Sequence, residues 1–296
     1  MNTVTKNRAP LVRFFDVYFS WTNPPANKKS DMWFSPMFDS FTADIPPGFI
    51  SLVGPNGSGK STFMLLAGGR ILPSHGKIEL CGYDTRVLSG HWKNYTGEKG
   101  PGLTEKVEHQ RNLVCSFLFQ NMEFILDEDI TVKALLEFVY ENGGHYSKDD
   151  VFFRLVLSAL ELEKLLNRRP DELSKGENQR VLLAFSALYG SKVIMMDEPV
   201  FAMEQYQKEK ALDFFRDLYR NTDVSIVISL HELSLTRKYA DTVMLFYPDH
   251  RIDLGTPEEV LTREALETAY GVPVSMLYDT EKYTRNVIFE QGKYGV

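Results

Sequence analysis

Three glycines, one lysine and three hydroxyl side chains fall within nine consecutive residues, GPNGSGKST, from Gly54 to Thr62. The chemistry open to such a set is the holding of phosphate. A polyphosphate tail carries several negative charges and many acceptor oxygens, so it needs a concave cluster of N–H donors closer than side chains normally permit, and glycine permits that approach. Gly54 and Gly59 have the G-x-x-x-x-G-K-[ST] spacing. The backbone of Gly54, Pro55, Asn56, Gly57, Ser58 and Gly59 is therefore expected to wrap phosphates, with the positive end of a following helix turned inward. Lys60 would reach the outer phosphates. Ser61 would offer its hydroxyl to Mg²⁺, a hard cation that takes oxygen ligands, and Thr62 closes the same run. The stretch follows an apolar run, FISLV, and precedes a helical pattern, FMLLAGG, which is the context this motif requires. These residues predict a nucleoside triphosphate site.

A second set, VIMMDEP, puts Asp197 and Glu198 at the end of an apolar strand, where ligands of open α/β sheets gather. Asp197 could hold Mg²⁺ through water, leaving Glu198 to polarise an attacking water as general base. On its own an acidic pair before proline is an ordinary exposed turn; its pairing with a phosphate loop changes that reading. In a third stretch, ELSKGENQR, Ser174 and Glu177 form an S-x-x-E capping box. A cap stabilises a helix by about 1 kcal/mol and explains both residues without any ligand.

The elements that must position these groups are legible as alternating patterns. Strand-like runs occur at LVRFFDVYFSW, FISLVG (49–54), LVCSFLF (113–119), VIMMD (193–197) and VSIVIS (224–229), and several are apolar throughout, as suits a parallel sheet covered on both faces. Helical period is clearest in DVFFRLVLSALELEKLL, where Val151, Leu155 and Ala159 lie four apart and Phe152, Val156 and Leu160 follow one step on; one broad buried stripe is expected. From Thr131 to Arg169 the pattern is mainly helical while its flanks alternate, which predicts a helical insert within an α/β domain. Residues 22–31 and 89–112 are rich in Gly, Pro and charge and read as solvated loops.

Composition narrows the function. The formal net charge of −7 over 296 residues disfavours a nucleic-acid partner, so phosphate chemistry must be local. Two cysteines, Cys81 and Cys115, form neither a zinc spacing nor a disulfide framework, which fits a reducing cytosol. No secretory leader and no apolar run of membrane-spanning length is read from the sequence.

The order phosphate loop, FLFQ, LSKGENQR, VIMMDEP, ISLHE resembles the ATP-binding cassette (ABC) ATPases over nearly the whole chain. The resemblance implies a P-loop NTPase fold of α/β class with a RecA-like core, an amino-terminal antiparallel β subdomain and an inserted α-helical subdomain. It implies a single domain over 1–296: roughly 10–130 for the β subdomain and first part of the core, 131–172 for the helical subdomain, 173–247 for the rest of the core and 248–296 for a carboxy-terminal extension. ATP and Mg²⁺ would be bound. Trp21 would stack on adenine, with Tyr18 and Phe19 as weaker matches. Gln120 would touch Mg²⁺ and sense a membrane partner, and His231 would contact the terminal phosphate. Ser174 and the amide of Gly176 would complete the site of a second copy, implying a homodimer with composite ATP sites.

The resemblance further implies transmembrane permease subunits, a substrate-binding protein in the full system, and a place on the cytoplasmic face of the membrane. The tail GTPEEVLTREALETAYGVPV resembles that of ATPases serving importers of iron chelates, haem or cobalamin. Three positions depart from the family: Lys175 replaces a glycine, Glu177 replaces a glutamine, and FAME, with Glu204, stands where SALD is usual. The 89–112 stretch lengthens the interval between Lys60 and Gln120. Two other functions stand beside transport: a soluble ABC ATPase acting on ribosomes or nucleic acid, and a regulatory module that binds ATP with little hydrolysis.

Overall fold

The computed structural model describes residues 9–22, 36–91, 99–120, 122, 130–145, 149–279 and 281. Its strands are β1 (Val12–Phe19), β2 (Phe38–Ile45), β3 (Phe49–Val53), β4 (His75–Leu80), β5 (Tyr83–Asp84), β6 (Cys115–Leu118), β7 (Val193–Met196), β8 (Ser225–Ser229), β9 (Thr242–Phe246) and β10 (Ile252–Gly255). Its helices are α1 (Lys60–Ala67), α2 (Thr85–Leu88), α3 (Glu105–Val114), α4 (Val132–Asn142), α5 (Asp150–Ala159), α6 (Lys175–Tyr189), α7 (Gln205–Asn221), α8 (Leu233–Tyr239), α9 (Pro257–Val260) and α10 (Arg263–Tyr270). A further helical stretch covers 274–279.

Two compact units are distinguished, the first spanning 1–47, 56–111 and 248–251. It contains a four-stranded antiparallel sheet in the order β2-β1-β4-β5. Val12, Phe14, Val17 and Phe19 of β1 are buried, and the alternation slips between Phe14 and Val17 because Asp16 takes a φ of 47°. The Asp16 N–H donates to Thr42 Oγ1 at 2.9 Å. Gly76 is required opposite this kink, since a Cβ there would lie 2.3 Å from the Asp16 carbonyl oxygen. Phe63 of α1 joins the sheet's aromatic cluster, stacked on Phe14 at 5.0 Å. That anchor sits three residues after Lys60, one helical turn along the same face.

The second unit spans 48–55, 112–247 and 252–296. Its six-stranded sheet runs β10-β9-β3-β8-β7-β6, parallel except for the β9-β10 pair. Every residue of β3, β7 and β8 is buried, as a sheet covered on both faces requires. Because β3, β6, β7 and β8 are parallel, their carboxyl ends share one edge. Gly54, Gln120, Asp197, Glu198 and His231 all follow those ends in the chain. The core beneath includes Leu136, Val156, Leu183, Ile194, Phe215 and Ile226; truncating such a buried Leu or Ile to Ala costs about 2–5 kcal/mol.

Four sequence expectations change. The strand read at 113–119 is shorter, because Leu113 and Val114 finish α3, and the polar stretch 89–112 holds the first eight residues of that helix. Glu105 and Glu108 in its first turn favour the helix dipole. The helix read from Asp150 stops at Ala159: Glu161 takes a φ of 54°, and Arg180 Nη1 donates to the carbonyls of Leu160 and Glu161 at 3.0 and 2.7 Å. Its buried row is Val156 and Leu160, whereas Val151 and Leu155 are 71% and 55% exposed. The loop expected at 22–31 lies outside the described residues beyond Thr22. Among the described residues no helix is long and apolar enough to cross a membrane.

Candidate functional site

The phosphate loop has the backbone its glycines imply. Gly54, Gly57 and Gly59 have φ values of 148°, 79° and 107°, a region that side chains with a Cβ rarely occupy. Gly59 also passes Met37 closely, a Cβ there falling 2.7 Å from the thioether sulfur. Gly59 is the N-cap of α1, and its carbonyl accepts the Phe63 N–H at 2.8 Å. Pro55, Asn56, Ser61 and Thr62 complete the run; Lys60, Ser58 and Thr62 are buried and Ser61 is exposed. Ser58 Oγ is buried with no hydrogen-bond partner among the described residues, as fits a cradle that completes its hydrogen bonds with a phosphate oxygen. Trp21 lies beside the same run: its Nε1 donates to Thr62 Oγ1 at 3.1 Å, its ring meets Phe19 edge-on at 5.2 Å, and 60% of it is exposed. Phe19 is itself buried beneath, and Tyr18 faces His75.

At the edge of the parallel sheet, Gln120, Asp197, Glu198 and His231 come together. Glu198 Oε2 accepts from Gln120 Nε2 at 2.7 Å, and Oε1 lies 2.5 Å from His231 Nε2. As the donor to an ionised carboxylate, the imidazole would carry a proton on Nε2. The Glu198 side chain is 12% exposed and that of His231 39%. Glu198 itself has a φ of 51°, an uncommon backbone for a glutamate that costs of order 1–3 kcal/mol. Two side chains pin it there. Ser229 Oγ accepts the Glu198 N–H at 2.8 Å and donates to Asp197 Oδ1 at 2.6 Å, while Gln179 Nε2 donates to the Glu198 carbonyl at 3.2 Å. The motif reading missed Ser229 and Gln179, although Ser229 ends the run VSIVIS and so stands at the same edge as the acidic pair. Gln120 and Asp197 each carry a side-chain oxygen, the donor type a hard cation such as Mg²⁺ takes.

Ser174 and Gly176 open α6 and are not bonded to that network. Ser174 Oγ accepts the Glu177 N–H at 3.3 Å and Glu177 Oε2 accepts the Ser174 N–H at 2.8 Å, so the capping box is formed. Arg168 Nη1 holds the other Glu177 oxygen at 3.0 Å. Burial opposes the charge of Glu177, but Ser174 and Arg168 together outweigh it and bring its pKa below the ordinary carboxylate value. Glu177 is thus folded back onto the Ser174 N–H and Arg168, and exposed Lys175 is the cation of that first turn. Gly176 lets the helix approach the FAME segment: a Cβ would lie 2.9 Å from the Ala202 carbonyl oxygen, while the Ala202 N–H donates to Gln179 Oε1 at 2.9 Å. Glu204 is the N-cap residue of α7 without a side-chain cap bond. An open cleft of about 680 Å³ is lined by Gln120, Met122, Lys175, Asn178, Glu198 and Phe201 among others.

A family model described as ABC transporter matches residues 39–201. The petrobactin import ATP-binding protein FpuC of Bacillus anthracis is 27% identical over 240 residues, 79% of this chain and 80% of that one. The phosphonates import ATP-binding protein PhnC of Rhizobium meliloti (strain 1021) is 26% identical over 243 residues, 79% of this chain and 81% of its own length. Among solved structures, the ATP-binding cassette MJ0796, dimeric in a post-hydrolysis state bound to ADP and Pi, aligns with a TM-score of 0.63 over 83% of this chain and 98% of its own, at 21% identity. That likeness carries the fold.

Proposed function

Since the chain belongs to the ABC transporter family, we propose that it powers an importer whose transport path is built from separate membrane subunits, using the residues gathered at the edge of its parallel sheet. It is an ATP-binding, ATP-hydrolysing cassette of that family. The observation that carries the residue assignment is the Glu198 carboxylate held between Gln120 and His231 at the end of β7.

In this reading the backbone of Gly54–Gly59 and the Lys60 ammonium grip the phosphates, and Trp21 stacks on adenine with its ring steadied through Thr62. Ser61, Gln120 and Asp197 would hold Mg²⁺, which when bound neutralises charge on the outer phosphates. Glu198 takes the proton of the attacking water. Each of its oxygens already meets one partner, and release of one gives the attacking water a better-aligned acceptor. His231 is the partner that moves: its N–H turns from Glu198 Oε1 to the terminal phosphate, which strengthens the grip on ATP and frees the base in one step.

Ser174, the Gly176 amide and Lys175 face the nucleotide of a second copy, so two chains close on two ATP molecules and reopen after hydrolysis. Permease subunits dock on this homodimer at the cytoplasmic face of the membrane, and a substrate-binding protein delivers cargo. The cargo is an iron chelate, haem or a cobalamin-like molecule, a reading supported by the tail after Gly255 and by the petrobactin relative. The phosphonate relative serves an unlike cargo, so selectivity resides in the other subunits.

The test is phosphate release from the chain assembled with its copurifying membrane partners. Glu198→Gln should lower turnover by roughly 10²- to 10⁴-fold, the contribution of a general base, while ATP still binds. An unchanged rate rejects Glu198 as the base.

A further inference from the structure

The segment after β10 is tied to two parts of the site that are far apart in sequence. Val260, Leu261, Leu266 and Ala269 are buried in a seam shared with Val53 and Leu233. Val53 is the residue before Gly54, and Leu233 lies two residues after His231. Each of these neighbours also receives a polar contact from the same segment. Tyr270, the last residue of α10, takes the Gly54 N–H on its hydroxyl oxygen. Burial raises the Tyr270 pKa to about 12, against that N–H, which alone would lower it, so the hydroxyl is neutral at every working pH.

The second contact replaces a missing cap. Helix α8 begins after Glu232, yet Glu232 gives its own helix no side-chain cap bond; its carboxylate is held instead by Lys208 Nζ at 2.6 Å. The orphan N–H groups of the first turn are met from the carboxy-terminal segment. Glu281 Oε1 accepts the Leu233 N–H at 2.5 Å, and the same carboxylate accepts from the backbone and hydroxyl of Ser234. A carboxylate suits that position because unsatisfied N–H groups and the helix dipole both favour negative charge there. Arg237 fastens the other side of α8, donating to the Leu261 carbonyl oxygen and, at 3.3 Å, to Tyr278 Oη.

We propose that the carboxy-terminal segment is a two-point brace on the hydrolytic site, in which Tyr270 is a positioning residue for the phosphate loop and Glu281 a positioning residue for His231. This rests on the ATPase reading above. Tyr270 fixes the direction in which the chain leaves β3, so it acts on nucleotide affinity. Glu281 fixes the start of α8, so it acts on where the His231 ring stands and hence on the chemical step. A segment that could be removed without consequence for turnover would have no reason to spend a half-buried carboxylate on a helix end 48 residues away.

Full-length Tyr270→Phe, Glu281→Ala, Glu281→Gln and Leu266→Ala, each assembled with the copurifying membrane subunits, test the brace by steady-state ATP turnover and thermal unfolding. Tyr270→Phe should raise KM for ATP roughly fivefold, the equilibrium worth of one hydrogen bond, with kcat nearly unchanged. Glu281→Ala should lower kcat roughly five- to tenfold, as loss of a cap implies, with KM nearly unchanged, and Glu281→Gln, which keeps an acceptor oxygen, should recover most of it. Leu266→Ala loosens the seam without touching either hydrogen bond, so it should lower the unfolding temperature and leave both kinetic constants in place. If all four variants lose only thermal stability, the segment is packing and the brace is wrong. If the parent itself releases no phosphate, the ATPase reading falls and the brace falls with it; an active parent with kinetically silent variants overturns the brace alone.

Discussion

Glu198 Oε1 and His231 Nε2 stand 2.5 Å apart, and the pair links the loops that leave two adjacent parallel strands, β7 and β8. The proposed base and the group proposed to withhold it are therefore set by the same ladder of backbone hydrogen bonds. Removing either changes the other's environment, so the two should not act independently. We expect His231→Ala to lower turnover by about 10²-fold, and the double variant with Glu198→Gln to fall little below Glu198→Gln alone. Single-turnover phosphate release on the four proteins of that cycle measures the coupling, and simple multiplication of the two single losses would count against the paired role.

Ser229 carries a second prediction, because one hydroxyl serves both acidic residues, accepting from the Glu198 N–H and donating to Asp197 Oδ1. Ser229→Ala leaves a buried carboxylate oxygen and a backbone N–H short of partners, at about 1–3 kcal/mol. It also removes a restraint on the strained φ of Glu198. Denaturant unfolding should register the stability loss. Turnover should drop roughly tenfold if the base loses its aim, with ATP affinity held, since Lys60 and the phosphate loop are untouched. Equal loss of affinity and turnover would show that Ser229 acts on binding.

Much of this candidate site can be read from the sequence, for reasons that differ by residue. The phosphate loop announces itself because only glycine tolerates φ values such as 79° and 107°, so its chemistry is written in residue type. Asp197, Glu198 and His231 were legible through position, each following an apolar run that became a buried parallel strand. The amino-terminal antiparallel sheet was only partly visible: β2 and β4 mix buried and exposed residues with charge, and their pairing with β1 is long-range. Ser229, Tyr270 and Glu281 were invisible as functional candidates for a related cause. A lone hydroxyl, phenol or carboxylate gains its meaning from a partner many positions away, and sequence spacing holds no record of that distance. The end of α5 was misread because Arg180, on another helix, takes the carbonyls of Leu160 and Glu161.

Trp21 offers a third prediction through its two separable contacts. Its Nε1 bonds Thr62 Oγ1 at 3.1 Å, while most of its ring is exposed and open to stacking. Trp21→Phe keeps an aromatic face and loses the hydrogen bond; Trp21→Ala loses both. ATP affinity measured by calorimetry should fall about fivefold in the first and by a further factor of roughly five to ten in the second, as aromatic stacking is worth about 1 kcal/mol or more. GTP binding compared in parallel reads base preference. Equal affinity in parent and Trp21→Ala removes Trp21 from the nucleotide site.

Glu177 yields a pH prediction whose sign follows from its partners. Ser174 and Arg168, working against burial, hold its folded pKa below the ordinary value of 4.5. A carboxyl depressed on folding adds stability that is fully present above its unfolded pKa and is lost as pH falls through the folded one. Glu177→Gln keeps an acceptor for the capping box but gives up the ion pair with Arg168, whose side chain is 38% exposed, so the loss at neutral pH should be no more than about 1 kcal/mol after solvent screening. The gap between parent and Glu177→Gln in unfolding free energy should therefore be open at pH 7 and close progressively below pH 4.5. A gap that stays constant into acid would mean that the amide repacks the first turn of α6 and that charge on Glu177 contributes nothing to it.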